Sequence, residues 1–329
     1  MAAKGNSQRQ AMLVTGGSGF VGKALLERLA GNPVWVARAL VRKLPEQRLQ
    51  AVDYRLFTEL SEIDAMSGHF EQVDTVIHLA SRVHVMHETA DDPLAEFRRV
   101  NVEGTLALAR AALAAGVRRF VFVSSIKVNG ETTDGRKPFT ADEAPAPLDP
   151  YGISKREAED GLRQLAAQTG LEVVIVRPVL VYGPGVKANF RSMMNWLSKG
   201  VPLPFGAIHN KRSLVALDNL VDLLVTCIDH PAAANQTFLA SDGEDLSTTQ
   251  LLQRLGRALR RPARLLPVPD ALIKGAATLA GKRGLSQRLC GSLQVDITKN
   301  RELLGWAPPL DVDQALRATA DNFLKEQDK

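Results

Sequence analysis

Cysteine is scarce in this chain. Cys227 and Cys290 are the only two among 329 residues, and neither sits in a CxxC or a histidine-rich spacing. A disulfide framework is therefore not expected, and a reducing cytoplasm is the simplest compartment. Metal-ligand patterns are as thin. His84 and His87 lie three apart with no cysteine or carboxylate set beside them, so no metal site is expected. No apolar run approaches the roughly 20 residues that a membrane-spanning helix needs. The polar start, Met1–Gln10, lacks the apolar core of a signal peptide and reads as a disordered lead-in. Ala271–Gly281 is apolar, with Lys274, Lys282 and Arg283 about it; an ordinary packed helix is expected there, peripheral membrane contact being the weaker alternative. Charge of one sign does not dominate either. The 41 basic and 36 acidic residues are interspersed, which argues against nucleic acid as a partner, while the excess of +5 suits a substrate carrying phosphates.

What is present is a long alternation of strand and helix. Ala11–Thr15, Val34–Val41, Val73–Ala80, Arg119–Ser124 and Glu172–Arg177 read as buried strands. Helical periodicity marks Phe20–Leu29, Pro93–Ala115 ending at Gly116, and Tyr151–Thr169 closed by Gly170. Continuous apolar strands separated by helices predict an α/β fold with a doubly wound parallel sheet covered on both faces. After Gly183-Pro184-Gly185 the alternation stops and prolines punctuate the chain. A dinucleotide-binding domain is expected over 11–182. A smaller mixed α/β lobe for the substrate is expected over 183–329, with some return to the core and a ligand crevice at the sheet's carboxyl edge.

Gly16, Gly19 and Gly22 follow the first strand and open the first helix. Glycines there let the backbone approach a pyrophosphate, and the helix N-terminus offers N–H donors and a positive dipole. The end of the second strand carries Arg42-Lys43 in place of the acid that would hold the ribose hydroxyls of NAD. A cation there suits a 2′-phosphate, which points to NADP(H), with NAD(H) as the alternative.

Asp149-Pro150 reads as a helix cap, and Tyr151 and Lys155, four apart, share one face of the helix that follows. A phenol near an ammonium and a positive nicotinamide is expected to have a lowered pKa and to exchange a proton with an alcohol or ketone oxygen. Ser125, at the end of a strand, is placed to hydrogen-bond the same oxygen.

These motifs, with TGGSGFVG, HLAS, NVEGT, FVSSIKVNG, PYGISK, RPVLVYGPG, RSLVALDN and DITKNRELLGW, span nearly the whole chain. The sequence resembles the extended short-chain dehydrogenase/reductases, near the nucleotide-sugar 4-epimerases and 4-ketosugar reductases. The resemblance implies catalysis by Ser125, Tyr151 and Lys155. It implies a cofactor site from Gly16, Gly19, Phe20, Val21, Gly22, Arg42, Leu79, Ala80, Ser81, Asn101, Ser124, Tyr151, Lys155 and Pro178, and a substrate diphosphate on Arg212 with the sugar at Ser125. It also implies a homodimer through the helices at 93–115 and 151–169. Three departures stand out: Leu180 replaces a family asparagine, Asn129 stands where tyrosine is usual, and Ile126-Lys127 replaces the Asp-Glu pair of the 4,6-dehydratases. Without those carboxylates the elimination has no acid and base, so a dehydratase is excluded. The expected activity is NAD(P)H-dependent 4-keto reduction of a UDP-2-acetamido-2,6-dideoxy-4-ketohexose for O-antigen synthesis. A UDP-hexose 4-epimerase with bound NAD is the alternative, and a cofactor-binding module without turnover is the remote one.

Overall fold

The computed structural model describes residues 10–60, 67–83, 92–281 and 283–327. The lead-in at 1–9 and the His84/His87 pair lie outside them. The chain divides into two compact units. One holds residues 1–128, 145–177 and 224–237; the other holds 129–144, 178–223 and 238–329.

The first unit is built on β1 (Gln10–Thr15), β2 (Trp35–Val41), β3 (Val52–Leu56), β4 (Val73–His78), β5 (Arg119–Val123) and β6 (Glu172–Pro178). They pair in parallel in the order β3-β2-β1-β4-β5-β6. The helices are α1 (Phe20–Ala30), α2 (Pro93–Arg98), α3 (Gly104–Ala114) and α4 (Pro150–Gln168). Strands such as β1, buried along all but their first residue, need cover on both faces, as the unbroken apolar runs predict. The core gathers Leu13, Val76, Phe120, Phe122 and Ile175 from the sheet with Leu108, Ala158 and Leu162 from α3 and α4.

Two local expectations are corrected, and one strand is added. The single helix over 93–115 is two helices joined by a π-helical turn at Arg99–Glu103, a wider turn of the kind that often marks functional positions. Helix α4 is not closed by a glycine. Thr169 leaves the helix in an extended conformation, and its hydroxyl donates to the Leu165 carbonyl and accepts from the Leu171 N–H. Strand β3 had no reading in the sequence, because only Val52 of its five residues is fully buried and the period-2 signal is lost at this sheet edge.

The second unit carries β7 (Leu180–Tyr182), β8 (Arg212–Ala216) and β10 (Asp245–Leu246) in a mixed sheet of order β10-β8-β7. β9 (Thr237–Ala240) is a short strand buried along its whole length. Helices α5 (Ala188–Ser198), α6 (Leu217–Asp229), α7 (Thr248–Ala258), α8 (Asp270–Leu279), α9 (Arg283–Cys290), α10 (Thr298–Leu304) and α11 (Val312–Gln327) complete the chain. Among the described residues no helix is long and apolar enough to cross a membrane. The ordinary packed helix expected over Ala271–Gly281 is corrected at α8. It has no buried residue, only Asp270, Ile273 and Ala277 being half-covered.

Candidate active site

The glycine loop between β1 and α1 is a cradle that side chains would fill. Gly16 has φ +70°, and a Cβ there would meet the Ala80 nitrogen at 2.7 Å; one on Gly22 would meet the Gly16 carbonyl oxygen at 2.2 Å. The Gly19 N–H donates to that same carbonyl at 2.9 Å. Helix α1 opens at Phe20 and Val21 with no acid in its first turn, so its N-terminal field is left for an anion. Such a cradle fits a dinucleotide pyrophosphate. Leu79, Ala80 and Ser81 continue from β4, where Thr15 Oγ1 accepts the Ala80 N–H at 3.2 Å. Beneath it His78 is fully buried between the hydroxyls of Thr15 and Thr105, at 2.6 and 3.0 Å, and burial drives its pKa down to about 3, so it stays neutral.

Asn101 sits in the π turn, buried, and ties two segments together. Its Nδ2 donates to the Arg82 carbonyl and to Ser154 Oγ, each at 3.0 Å, and its Oδ1 accepts from Ser81 and from the Arg82 N–H. It thus holds the segment after β4 against α4. Arg42 is exposed just beyond β2, while Arg38, four residues earlier on the strand, is spent on Asp53 at 3.0 Å and on the carbonyls of His69 and Glu71.

Helix α4 begins where the sequence places it. Pro150 opens it, and Asp149 Oδ1 accepts the Gly152 N–H at 2.7 Å. Gly152 is needed for close approach: a Cβ would lie 2.9 Å from the Lys127 carbonyl, in the turn that follows Ser125. Lys127 in turn forms an ion pair with Asp149. The Tyr151 hydroxyl consequently meets those of Ser81 and Ser125. The structure therefore brings Ser81, Ser125 and Tyr151 together.

Lys155 is fully enclosed. Its ammonium donates to the Val123 carbonyl at 2.7 Å and stands 4.0 Å over the Phe122 ring. Burial pulls its pKa down to about 7, against the opposing pull of Glu159. The part of the tyrosine expectation that rests on the ammonium is corrected, since Lys155 is not among the groups that shift Tyr151. Desolvation pushes Tyr151 up to about 12, the Asp149 charge adds to the rise, and the hydrogen bonds from Ser81 and Ser125 oppose it.

One group escaped the sequence reading. Glu159, wholly buried one turn after Lys155, accepts from Ser124 Oγ at 2.5 Å and pairs with Arg177 at 2.5 Å, with Arg163 at its rim at 2.9 Å. The signal was present as a charge on the face that α4 shares through Tyr151 and Lys155, four residues apart each time.

Arg212, in the second unit, donates to the Gly291 carbonyl at 3.1 Å and is largely buried, which lowers its pKa. Pro178 ends β6 and Leu180 is exposed. Asn129 is buried and donates to the Thr140 carbonyl at 2.8 Å.

The family model described as NAD dependent epimerase/dehydratase matches residues 12–240. The chain belongs to this family. A UDP-glucose 4-epimerase from Vibrio cholerae is 47% identical over 325 residues, 97% of each chain. A GDP-6-deoxy-D-mannose reductase from Pseudomonas aeruginosa is 27% identical, covering 95% of this chain and 97% of its own. Among solved structures, a UDP-glucose 4-epimerase from Thermotoga maritima with UDP-glucose superposes with TM-score 0.76 at 23% identity, over 97% of this chain and 100% of that one. That likeness bears on the fold alone; the family match and the 47% relative make the chain an enzyme of extended short-chain dehydrogenase/reductase type.

Proposed function

We propose that this enzyme interconverts the C4 epimers of a UDP-hexose while retaining NAD. The carrying observation is the 47% identity to the Vibrio cholerae epimerase along 97% of both chains. The epimerase is thereby preferred over the 4-keto reduction that the sequence alone suggested. The dinucleotide would lie on Gly16, Gly19, Phe20, Val21 and Gly22, pass Leu79, Ala80 and Ser81, and reach Asn101, Ser124 and Pro178. Bound NAD supplies the hydride acceptor at C4 and a positive ring whose field favours phenolate.

The protein's own part is proton management. Tyr151 Oη takes the proton of the C4 hydroxyl and later returns it. Ser125 Oγ, already hydrogen-bonded to Tyr151, orients that hydroxyl. Lys155, fixed on the Val123 carbonyl, adds positive potential. Arg212 binds the substrate diphosphate. Ile126 and Lys127 follow Ser125, so no carboxylate stands there to run a dehydration, and Lys127 is engaged with Asp149.

The test is incubation with UDP-glucose and with UDP-N-acetylglucosamine, no cofactor added, followed by NMR of the products. Epimerisation, with NAD released on denaturing the purified protein, supports the proposal; inactivity on both sugars with nucleotide-free protein refutes it. A second reading, NADPH-dependent reduction of a UDP-2-acetamido-2,6-dideoxy-4-ketohexose for surface polysaccharide, is favoured by exposed Arg42 and the lack of an acid at the end of β2. It requires NADPH to be preferred over NADH, with Arg42→Asp reversing an order of roughly 10- to 150-fold.

A further inference from the structure

The interspersion of charge fails over one stretch of the second unit. Residues 257–288 contain eight basic side chains, Arg257 and Arg260 to Arg288, and a single acid, Asp270. That net +7 exceeds the +5 of the whole chain, so the remaining residues together are slightly acidic. The same stretch leaves large apolar side chains in water: Leu266 is 52% exposed, Leu272 65% and Leu279 92%. On α8 the half-covered residues Asp270, Ile273 and Ala277 mark the face turned to the protein. Leu272, Ala276 and Leu279 form a second helical stripe, and that stripe is exposed.

The end of α5 adds to it. Backbone bridges hold Leu203 beside Leu265 and Ala207 beside Pro269, and Arg261 donates to the Ser198 carbonyl at 2.7 Å. Trp196, 44% exposed, accepts at its carbonyl from the N–H of Val201, itself 40% exposed, and Lys199 lies exposed between them. Exposed apolar residues including a tryptophan, set among exposed arginines and lysines, are the composition of an element that lies in the plane of a membrane interface. Among the described residues no helix spans a bilayer, so contact would be from the surface.

We propose that α8, with the loop before it and the end of α5, docks this enzyme on an anionic phospholipid surface. The apolar stripe enters the headgroup boundary, and the exposed Arg260, Arg261 and Arg264 before it and Arg288 after it face the negative lipids. This inference stands apart from the reaction proposed above, because none of these residues belongs to the candidate active site.

The test is flotation of the full-length protein with vesicles of phosphatidylcholine alone and of phosphatidylcholine with 30% phosphatidylglycerol, a composition set to carry negative charge at about one lipid in three. The protein should float with the anionic vesicles at low salt, stay behind with the neutral ones, and be released as salt is raised. Trp196 fluorescence should shift to the blue on binding, and Trp196→Phe should remove that shift. Leu272→Glu/Leu279→Glu should weaken flotation by at least about ten-fold, with thermal unfolding and activity unchanged, since both side chains face solvent. Absence of anionic-vesicle binding by the wild type overturns the proposal, as does undiminished binding by the double variant. So does conversion of a wild-type dimer to monomer by that variant without vesicle binding, which would make the face a contact between copies of the chain.

Discussion

Replacing Lys155 by methionine should abolish turnover and yet stabilise the fold. Its ammonium is wholly buried, and burial moves its pKa from 10.5 to about 7. At about 1.4 kcal/mol per unit, that displacement sets an upper bound of about 5 kcal/mol on what the charged form costs the folded state. Against it stand the hydrogen bond to the Val123 carbonyl and the position over the Phe122 ring, worth about 1–2 kcal/mol each. Methionine fills similar volume, so a net gain of about 1–3 kcal/mol is expected near pH 6. The pH dependence follows from proton counting. Between about 7 and 10.5 the unfolded chain keeps a proton on Lys155 that the folded protein releases, so wild-type stability rises with pH across that window. The methionine variant lacks this slope. Its advantage should be full below about pH 7 and should fade as pH approaches 10.5. Urea unfolding of both proteins, stripped of nucleotide, at pH 6, 8 and 10 measures it. A variant less stable than wild type at pH 6, or a difference that does not change with pH, would refute the reasoning.

Tyr151→Phe should lower kcat by ~10²–10⁴-fold while cofactor affinity and thermal unfolding stay near wild type, because it deletes only a proton-exchanging hydroxyl; retention of half the wild-type kcat would remove Tyr151 from the chemistry. Glu159→Gln strands the buried Arg177 guanidinium and should cost about 3–5 kcal/mol in urea unfolding, with most of the loss recovered in Glu159→Gln/Arg177→Met; equal stability of the two variants would contradict the pairing. Arg212→Ala should raise KM for the UDP-sugar more than it alters kcat, since a guanidinium holds a diphosphate equally in ground and transition states. Unchanged KM would place Arg212 away from the substrate.

The parts legible in the sequence were those written in local rules. Gly16 and Gly22 announce their cradle because any side chain would strike backbone there, and Asp149-Pro150 announces a helix start through cap chemistry confined to four residues. The glycine of PYGISK was legible as a motif, but its reason was not: Gly152 answers to the carbonyl of Lys127, which only the folded chain brings near. β3 went unread for the opposite cause, since an edge strand is partly wetted on its outer side and its pattern blurs. The break between α2 and α3 is one extra residue in a continuous apolar periodicity, too small a phase shift to show against side chains that remain helical on both sides.

The electrostatics of α4 lay furthest from the sequence. Tyr151, Lys155 and Glu159 recur at four-residue spacing, and spacing alone suggests a ladder in which each charge tunes the next. Burial changes the signs. The phenol is driven up, the ammonium down, and the carboxylate beneath them is anchored on Arg177 and Ser124. Ser124 is the neighbour of Ser125, so Glu159 fixes the strand end that carries one candidate catalytic hydroxyl. It also opposes the fall in the lysine's pKa. A buried Glu–Arg pair contributes little net stability compared with an apolar pair of the same volume. Its use here is positional: it holds one negative charge beneath Lys155, so that burial takes the enclosed ammonium down to about 7 and no further. Burial thus holds the Tyr151 phenol above its ordinary range, and positive charge beside it is what would favour the phenolate.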